Sequence, residues 1–337
     1  MTIRVGINGF GRIGRNFVRA AKQRGADIDF IAANEPFQSV ELAAHLMKHD
    51  TILGTWDADI EVVADGIKVN GDLITIITER DPKALPWGDI GADIVVESTG
   101  VFSDREKAAQ HLEAGARLVI VSAPSNGADA TFVVGVNDDT FDPATHKVVS
   151  NASCTTNCFV PMVKVLDDNF GVKQGLMTTV HAYTATQAIV DGPSKDLREA
   201  RAAALNIIPS STGAARATAL VLETMKGRLD GQALRVPVAD GSITDFTAVL
   251  DREVTKDEIN DAFRAASQSG PLSKVLVYNE DAIVSSDIVG SPASCTFDAP
   301  LTMAMGSLVK VMGWYDNEWG YSNRLVDLVE IVGAKLK

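Results

Sequence analysis

The stretch Gly9-Phe10-Gly11-Arg12-Ile13-Gly14 decides the fold of the N-terminal half of this chain. It follows residues 3–7, a short apolar segment that predicts a strand, and precedes residues 15–21, which have helical character. Between a strand and a helix, glycines allow a tight turn, a close approach of the backbone to a ligand and close helix packing. The first N–H groups of the helix then point at a pyrophosphate group. The sequence therefore predicts that Gly9, Gly11 and Gly14 form a dinucleotide-binding turn.

An acidic side chain follows this turn at the expected distance. A second apolar segment, residues 28–33, predicts the next strand and is followed closely by Glu35, about 20 residues beyond the last glycine. A carboxylate there can accept hydrogen bonds from the ribose hydroxyls of adenosine and repels a 2′-phosphate, so it favours NAD over NADP. The alternative is that Glu35 is only a solvated loop charge.

The rest of the first half alternates strands with helical segments. Residues 74–77, 93–96 and 118–121 are typical of buried strands, and a helix is predicted over 104–114. This alternation indicates a parallel sheet with helices on both faces, which is the doubly wound Rossmann arrangement. Because ligands bind at the carboxyl ends of such strands, we expect Arg80 and Ser122 to line the cofactor cleft.

Composition excludes several classes of function. The chain has 337 residues, a net charge of −13 and 46% hydrophobic residues, which is typical of a globular protein of two domains and disfavours nucleic acid and anionic membranes as partners. Its three cysteines are too few for a disulfide framework and lack the spacing of a zinc site, so we expect no metal and a reducing cytoplasm. The N-terminus resembles a strand rather than an export signal.

A thiol between hydroxyl groups opens the second half of the chain. Within Ser150-Asn151-Ala152-Ser153-Cys154-Thr155-Thr156-Asn157-Cys158, Cys154 lies at a predicted junction of a loop and a helix. Helix starts favour a thiolate over a thiol and attract anions, so Cys154 is a candidate nucleophile. The alternative is a buried structural cysteine. Pro161 is expected to kink the helix or to restrict it to one side.

A histidine and several anion-binding groups follow. Residues 176–180 predict a strand that delivers His181, and an imidazole near Cys154 can stabilise the thiolate and move a proton. His181 taken alone would instead be a structural histidine. The hydroxyl-rich residues 210–213 and the cation Arg235 are possible phosphate ligands.

The later strands complete a second domain. Residues 244–250 and 306–312 predict a largely antiparallel sheet flanked by helices, and a last helix is expected over about 317–336. The sequence thus predicts an α/β Rossmann domain over 1–150, an α+β catalytic domain over 151–316 and a C-terminal helix over 317–337 that returns to the first domain.

Five segments together closely resemble the phosphorylating glyceraldehyde-3-phosphate dehydrogenase family, and the likeness covers nearly the whole chain. They are Ile7-Asn8-Gly9-Phe10-Gly11-Arg12-Ile13-Gly14-Arg15, Ser150-Asn151-Ala152-Ser153-Cys154-Thr155-Thr156-Asn157, His181-Ala182-Tyr183-Thr184, residues 201–215 with Asn206-Ile207-Ile208-Pro209, and Trp314-Tyr315-Asp316-Asn317-Glu318-Trp319-Gly320-Tyr321-Ser322.

The resemblance implies a reaction and a set of roles. Cys154 would attack the aldehyde of glyceraldehyde 3-phosphate, hydride transfer to NAD would leave a thioester, and inorganic phosphate would release 1,3-bisphosphoglycerate, with His181 as the activating base. The substrate phosphate would be held by Thr184, Thr186 and Arg235, and the attacking phosphate by Ser153, Thr155, Thr212 and Gly213. NAD would be held by Arg12, Ile13, Glu35, Arg80, Ser122 and Asn317. Similar enzymes are cytoplasmic homotetramers of glycolysis.

Departures from the family pattern leave alternatives open. Many relatives have aspartate where this chain has Glu35, while the retained Pro193 is common in relatives that use NAD. Glu199 replaces an arginine of some bacterial relatives and receives no substrate role, and Ala239 replaces a frequent proline. The competing hypotheses are an erythrose-4-phosphate dehydrogenase that hydrolyses its thioester, a noncatalytic NAD-binding protein, and a specialised isoform that tolerates an inhibitor directed at the thiol.

Overall fold

The computed structural model describes residues 2–336, which form two compact units. Unit 1 contains residues 2–132, 138–152 and 322–336, and unit 2 contains Val133–Asn137 and Ser153–Tyr321. Among the residues described, no helix has both the length and the apolar character needed to cross a membrane.

Unit 1 is built from short strands with helices between them. Its elements, in chain order, are β1 (Ile3–Asn8), α1 (Arg12–Arg24), β2 (Ile28–Asn34), α2 (Val40–Lys48), β3 (His49–Asp50), β4 (Gly54–Thr55), β5 (Ile60–Val63), β6 (Gly66–Val69), β7 (Asp72–Ile77), β8 (Ile94–Glu97), α3 (Arg105–Ala108), α4 (Gln110–Glu113), β9 (Leu118–Val121), β10 (Ala130–Thr131) and β11 (Val148–Ser150).

The main sheet of unit 1 has the order β10-β11-β9-β8-β1-β2-β7-β6-β5. From β10 to β7 every neighbouring pair is parallel, whereas β7-β6 and β6-β5 are antiparallel. The residues of β8 and β9 are buried throughout, as expected for strands covered on both faces. The strand β1 lies between β2, which follows it in the chain, and β8, which comes later. The strand order therefore reverses direction at β1, and a ligand crevice is expected beyond the carboxyl ends of these strands.

Two features of unit 1 differ from the sequence-based predictions. The helix expected over 104–114 is divided into α3 and α4, which meet at Ala109. The antiparallel strands β5 and β6 were not predicted, because each is only four residues long, β5 is half-buried or exposed throughout, and β6 begins with a glycine. The prediction of a doubly wound arrangement is nevertheless confirmed.

Unit 2 contains longer strands and helices. Its elements, in chain order, are α5 (Cys154–Phe170), β12 (Val172–Ala182), β13 (Ile208–Ser211), α6 (Ala214–Ala217), β14 (Leu229–Val236), β15 (Ser242–Leu250), α7 (Lys256–Gln268), β16 (Leu276–Asn279), α8 (Ser285–Ile288), β17 (Cys295–Asp298), β18 (Met303–Met305) and β19 (Leu308–Tyr315), and the chain ends with α9 (Trp319–Leu336), which begins in unit 2 and continues in unit 1.

The sheet of unit 2 is mostly antiparallel, which confirms the predicted α+β class. Its order is β13-β14-β12-β15-β19-β17-β16, with parallel pairing between β12 and β14 and between β16 and β17. Buried and partly exposed residues alternate along β15, so one face of the sheet is covered. Phe159 on α5 packs edge-to-face on Phe246 of β15, with ring centroids 4.8 Å apart. This contact helps to fix α5, which carries Cys154, against the sheet.

Two helix boundaries also correct the predictions. Pro161 lies inside α5, which is helical from Cys154 to Phe170, so the proline neither divides the helix nor restricts it to one side. Proline removes one hydrogen bond, and the burial of most of the helix offsets that loss. The last helix, α9, begins at Trp319 rather than at Asn317.

Candidate active and cofactor sites

A cavity of about 380 Å³ lies in unit 1 at the carboxyl ends of β1, β2 and β8. The residues that line it are Asn8, Gly9, Gly11, Asn34, Glu35, Pro36, Phe37, Glu79, Arg80, Pro82, Ser98, Thr99, Val101 and Phe102. Four residues predicted to bind the cofactor are therefore brought together here, namely Gly9, Gly11, Glu35 and Arg80.

Each glycine of the turn between β1 and α1 is needed for a different physical reason. Gly9 has φ +95°, and a Cβ atom there would lie 2.7 Å from the backbone of Ser98 and Thr99. A Cβ atom on Gly14 would lie 2.4 Å from the carbonyl oxygen of Gly9, so α1 can pack this closely only with glycine. Gly11, which caps α1, has no heavy atom within 4 Å of a Cβ position, so the backbone is open there.

The start of α1 fits the pyrophosphate of NAD. Its first turn contains no acidic residue, and its N-cap, Gly11, has no side chain that could cap the helix. The positive end of the helix dipole therefore favours an anion at the edge of the cavity.

Glu35 is a fixed part of the cavity wall. Its carboxylate accepts hydrogen bonds from the N–H groups of Phe10 and Phe37, both at 3.2 Å, and the residue is 6% exposed. The Arg80 guanidinium lies over the Phe37 ring at 5.3 Å from its centroid. The Glu35 carboxylate, on a side chain longer than the aspartate of many relatives, is thus fixed by backbone N–H groups of two turns. This agrees better with a ribose-binding role than with a solvated charge.

The other residues predicted to bind the cofactor lie outside the lining of this cavity. Arg12 is the first residue of α1 and pairs with Asp50 at 2.9 Å, and Ile13 is the next residue of that helix. Ser122 directly follows β9 and donates its N–H to the carbonyl oxygen of Glu97 at 2.9 Å. Asn317 belongs to unit 2.

A buried polar network behind the cavity was missed by the sequence reasoning. His111 is completely buried, accepts a hydrogen bond at Nδ1 from the Trp87 indole at 3.0 Å, and has Nε2 3.0 Å from Glu97 Oε2. Glu97 Oε2 also accepts from Asn8 Nδ2 at 2.6 Å, and Oε1 accepts from the Thr99 N–H at 2.8 Å. The network therefore connects the ends of β1 and β8 that form the cavity. The only sequence signal was a histidine within a predicted helix, which does not distinguish it.

The thiol of Cys154 lies beside an imidazole in unit 2. Cys154 is the first residue of α5, and its Sγ atom is 3.4 Å from Nε2 of His181, near the end of β12. Ser153 caps the helix, since its hydroxyl accepts the Thr156 N–H at 3.0 Å. Ala152, just before the cap, has φ +55°, an unfavourable backbone conformation for a residue with a side chain. The predicted junction of loop and helix at Cys154 is present.

Arg235 contacts the opposite side of the same imidazole. It lies directly opposite His181 in the parallel pairing of β12 and β14. Its Nη1 atom is 2.6 Å from His181 Nδ1 and 3.1 Å from the carbonyl oxygen of Ala182, while His181 Nδ1 is 2.7 Å from that same oxygen. Because arginine only donates, the contact with Arg235 requires an unprotonated Nδ1, whereas a hydrogen bond to Ala182 requires a protonated one. The imidazole thus has two mutually exclusive hydrogen-bonding arrangements.

The electrostatics of this cluster favour neutral partners at rest. Burial raises the pKa of the Cys154 thiol to about 11, although Arg235 and hydrogen bonds near Thr155 act in the lowering direction. Burial and then the charge of Arg235 lower the pKa of His181 to about 3. The helix start favours a thiolate, as expected, but desolvation outweighs the favourable contacts at Cys154 in this structure.

The hydroxyl groups predicted to bind phosphate have several different partners. Thr155 is 4% exposed and its hydroxyl lies 2.8 Å from the hydroxyl of Tyr315, so its side chain is engaged in the core. The hydroxyls of Thr184 and Thr186 are 2.9 Å apart, just beyond β12. Thr212 Oγ1 accepts the Ala214 N–H at 3.2 Å.

Thr212 and Gly213 are near α5 without joining the cluster. They precede α6, which packs against α5. Within residues 2–336, no hydrogen bond was found between Thr212 and Cys154, His181 or Arg235. The structure therefore brings Cys154, His181 and Arg235 into direct contact and places the hydroxyl groups on neighbouring segments.

Comparison with known proteins identifies the family. Residues 3–105 match the profile of the glyceraldehyde 3-phosphate dehydrogenase NAD binding domain, and residues 153–317 match that of the C-terminal domain. A glyceraldehyde-3-phosphate dehydrogenase of Streptomyces coelicolor is 60% identical over 337 residues, which is all of both chains. The chain belongs to the glyceraldehyde-3-phosphate dehydrogenase family.

Other members of this glyceraldehyde-3-phosphate dehydrogenase family are similar over the same length. Glyceraldehyde-3-phosphate dehydrogenase 2 of Streptomyces avermitilis is 58% identical, and a glyceraldehyde-3-phosphate dehydrogenase of Mycolicibacterium smegmatis is 54% identical, each with full coverage of both chains. As a family member, the chain is an NAD-dependent oxidoreductase of the class that acts on aldehyde groups. The sequence-based predictions of the family, the fold class and the NAD cofactor are confirmed.

Proposed function

We propose that this chain oxidises D-glyceraldehyde 3-phosphate and transfers the acyl group to inorganic phosphate through a thioester on Cys154, as a step of glycolysis and gluconeogenesis. The observation that carries this proposal is the 3.4 Å contact between Cys154 Sγ and His181 Nε2 at the start of α5. A nucleophile beside a base is the arrangement that covalent catalysis at a carbonyl group needs.

Arg235 controls which proton transfer His181 can perform. When Arg235 binds the phosphate of the substrate, its guanidinium leaves His181 Nδ1, and Nδ1 then donates to the carbonyl oxygen of Ala182, 2.7 Å away. Nε2 is left unprotonated and faces the thiol. Substrate binding thereby converts His181 into a base that is suited to remove the proton of Cys154.

The proton of the thiol then moves through His181. Nε2 takes the proton from Sγ, a bond forms between Sγ and the aldehyde carbon, and Nε2 returns the proton to the carbonyl oxygen to give a thiohemiacetal. NAD, when bound, supplies the acceptor for the hydride of that carbon. His181 takes the hydroxyl proton as the thioester forms.

Phosphate completes the reaction. A phosphate oxygen attacks the thioester carbon and the carbon–sulfur bond breaks, which releases the acyl phosphate. The proton on His181 Nε2 then returns to the sulfur or to solvent. We assign the substrate phosphate to Thr184, Thr186 and Arg235, and the attacking phosphate to groups on or near the starts of α5 and α6, namely Ser153, Thr155, Thr212 and Gly213.

The cofactor assignments follow the cavity in unit 1 and the family resemblance. We assign NAD to Gly9, Gly11, Arg12, Ile13, Gly14, Glu35, Arg80, Ser122 and Asn317. The open backbone at Gly11 and the fixed carboxylate of Glu35 support the pyrophosphate and ribose parts of this assignment. Residues 1–150 would form the NAD-binding domain, 151–316 the catalytic domain, and 317–337 the returning helix.

We also propose a cytoplasmic homotetramer. The loop after β12 exposes large apolar side chains, including Ile189 at 84%, Leu197 at 87% and Leu205 at 82%. Large apolar side chains exposed within one loop are typical of surfaces that bind another protein chain. The three cysteines are free thiols, as in a reducing compartment.

The test is the dependence of turnover on phosphate. NADH formation from glyceraldehyde 3-phosphate should require inorganic phosphate, and the rate with NADP should be much lower, because Glu35 repels a 2′-phosphate. Erythrose 4-phosphate assayed without phosphate provides the comparison. Equal turnover of glyceraldehyde 3-phosphate with and without phosphate would contradict the proposal and would favour a hydrolytic dehydrogenase.

A further inference from the structure

Two carboxyl groups lie buried together at one end of the sheet in unit 2. Asp240 lies just before β15 and Asp316 directly follows β19, and these strands are antiparallel neighbours with Ser242 opposite Tyr315. Asp240 is 3% exposed and Asp316 is 1% exposed. Two carboxylates in one buried site repel each other, so such a pair is stable when one of them holds a proton.

The hydrogen bonds indicate which group is ionised. Asp316 accepts three backbone N–H groups, those of Gly290 (2.7 Å), Glu318 (2.9 Å) and Trp319 (2.6 Å). Asp240 Oδ1 accepts only the N–H of Gly241 at 2.9 Å, and its buried Oδ2 accepts no hydrogen bond from the residues described. Burial raises the pKa of Asp316 too, but its three N–H donors act in the lowering direction, so Asp316 is the charged partner and Asp240 is the acid.

The surroundings of Asp240 keep it protonated. Burial, followed by the negative charges of Asp316 and Glu318, raises the pKa of Asp240 to about 8. The turn is also packed tightly, since a Cβ atom on Gly241 would lie 2.2 Å from the carbonyl oxygen of Ser285 at the start of α8. The titratable residue of α8 is Asp287, whose carboxylate accepts the Val284 N–H at 2.8 Å.

A second contact joins the same two segments and orients Asn317. The Ser242 hydroxyl accepts the Ala182 N–H at 3.0 Å and donates to Asn317 Oδ1 at 2.7 Å. Since Oδ1 is occupied by this donor, the Nδ2 group of Asn317 remains to donate to a ligand. The acid pair therefore joins Asp240 to Asp316, and the Ser242 contact joins the neighbouring residues Ser242 and Asn317, so both connect the start of β15 to the segment after β19.

We propose that Asp240 is a positioning residue for Asn317. Asp240 retains its carboxylic acid proton and donates it in a hydrogen bond to Asp316. This hydrogen bond holds the start of β15 against the segment after β19, so that Asn317 presents its Nδ2 group to the cofactor. This rests on the proposed role of Asn317 as a ligand of the nicotinamide carboxamide. Loss of the proton leaves two adjacent carboxylates, whose repulsion separates the segments and withdraws Asn317. NAD affinity therefore falls in alkaline solution for a reason that is independent of the Cys154 thiol.

The first experiment measures stability against pH. The unfolded pKa of Asp240 is near 3.8 and the folded pKa is about 8, so the folded protein binds more protons in that window and its stability falls as pH rises through it. Asp240→Asn keeps a donor to Asp316 but cannot ionise. Wild type should therefore lose stability between pH 5 and pH 8 and the variant should not. The melting temperature of the variant minus that of wild type should increase by about 5 °C over this range.

Two further variants separate the partners. Asp316→Asn should lower the melting temperature at every pH, because the amide replaces a carboxylate that accepts three N–H groups. Asp281→Asn changes an exposed aspartate of the same unit and should follow the wild-type curve. A constant difference between Asp240→Asn and wild type from pH 5 to pH 8, or a stabilising Asp316→Asn, would overturn the shared proton.

The second experiment measures NAD binding by calorimetry in a Cys154→Ser background, which removes the titration of the thiol. With Asp240 present, the Kd for NAD should rise about fivefold between pH 7 and pH 9, which corresponds to the net free energy of about one hydrogen bond. With Asp240→Asn, the Kd should change less than about twofold, because no such hydrogen bond is lost. Equal rises in both would overturn the positioning role. Absence of NAD binding at pH 7 in both would contradict the proposed function instead, while the stability curves would still decide the shared proton.

Discussion

The two buried histidines of this chain, His111 in unit 1 and His181 in unit 2, differ in how many arrangements their neighbours permit. His111 is 0% exposed and His181 is 4% exposed, so burial does not distinguish them. Each ring nitrogen of His111 has a defined role, since the Trp87 indole can only donate to Nδ1 and Nε2 is left to donate to Glu97. The Asn8 amide nitrogen also lies 3.3 Å from Nε2, but it donates to the same Glu97 oxygen at 2.6 Å and so does not compete for the ring. A single tautomer satisfies this site.

His181 instead has neighbours that demand different tautomers. Arg235 requires an unprotonated Nδ1, whereas the carbonyl oxygen of Ala182 requires a protonated one. Its other nitrogen faces the Cys154 thiol rather than a carboxylate. The comparison indicates that a histidine with one satisfied arrangement supports structure, while a histidine with two competing arrangements is suited to proton transfer.

The largest expected effect is on turnover. His181→Asn removes the proposed base and should lower kcat by a factor of about 10²–10⁴, with the Kd for NAD unchanged. Steady-state kinetics and calorimetry measure these two quantities. His111→Asn should leave kcat at saturating NAD within about threefold, because its ring acts through hydrogen bonds that support the cofactor cavity. If His181→Asn retained kcat within that same range, the proposed distinction between the two histidines would be lost.

The fold was predictable where the sequence pattern is strong. The strands β8 and β9 are fully buried and mostly apolar, β1 is buried except at Arg4, and Gly9 and Gly14 are required by close backbone contacts. The strands β5 and β6 were not predicted, because each has only four residues and β5, at the edge of the sheet, has no buried residue. Of the two outcomes expected at Pro161, a kink or a restricted helix, the second is wrong, since α5 continues through the proline and tertiary packing outweighs the cost of one missing hydrogen bond.

The candidate site was predictable in its residue types but not in its electrostatics. Cys154 and His181 were selected by their neighbours in the sequence, and the structure brings them together. The effect of burial on the thiol depends on the whole surrounding core and outweighs the helix start, which is the only part visible in the sequence. The network of His111 and the pair of Asp240 and Asp316 join residues far apart in the chain, so no local pattern could indicate them.

The second prediction concerns the resting state of Cys154. With a thiol pKa of about 11 and a His181 pKa of about 3, the ion pair is disfavoured in the free protein. The thiolate fraction should therefore rise with pH, and the rate of alkylation by iodoacetamide should increase about tenfold per pH unit between pH 7 and pH 9. Mass spectrometry of the modified protein measures this rate, and Cys158→Ala provides a control because Cys158 is buried. A plateau below pH 8 would show a resting thiolate.

The smallest expected effect is on stability, and it tests the structural half of the comparison. His111→Ala leaves the Trp87 indole N–H buried without a partner and removes one of the two donors to Glu97 Oε2, the other being Asn8. Unsatisfied buried groups of this kind should lower the free energy of unfolding by about 2–4 kcal/mol, a factor of roughly 30 or more in the folding equilibrium. Guanidinium denaturation measures this loss, and His45→Ala is the matched control because His45 is exposed.

The same variant should also affect the cofactor cavity more than the chemistry. Glu97 connects Asn8 and Thr99, which both line the cavity, so loss of His111 should raise KM for NAD while kcat at saturating NAD changes little. His111→Ala would then change the stability and the KM for NAD, whereas His181→Asn would change kcat. A His111→Ala protein as stable as His45→Ala would mean that a histidine with fully satisfied partners contributes no more to the fold than an exposed one, and the structural side of the comparison would fail.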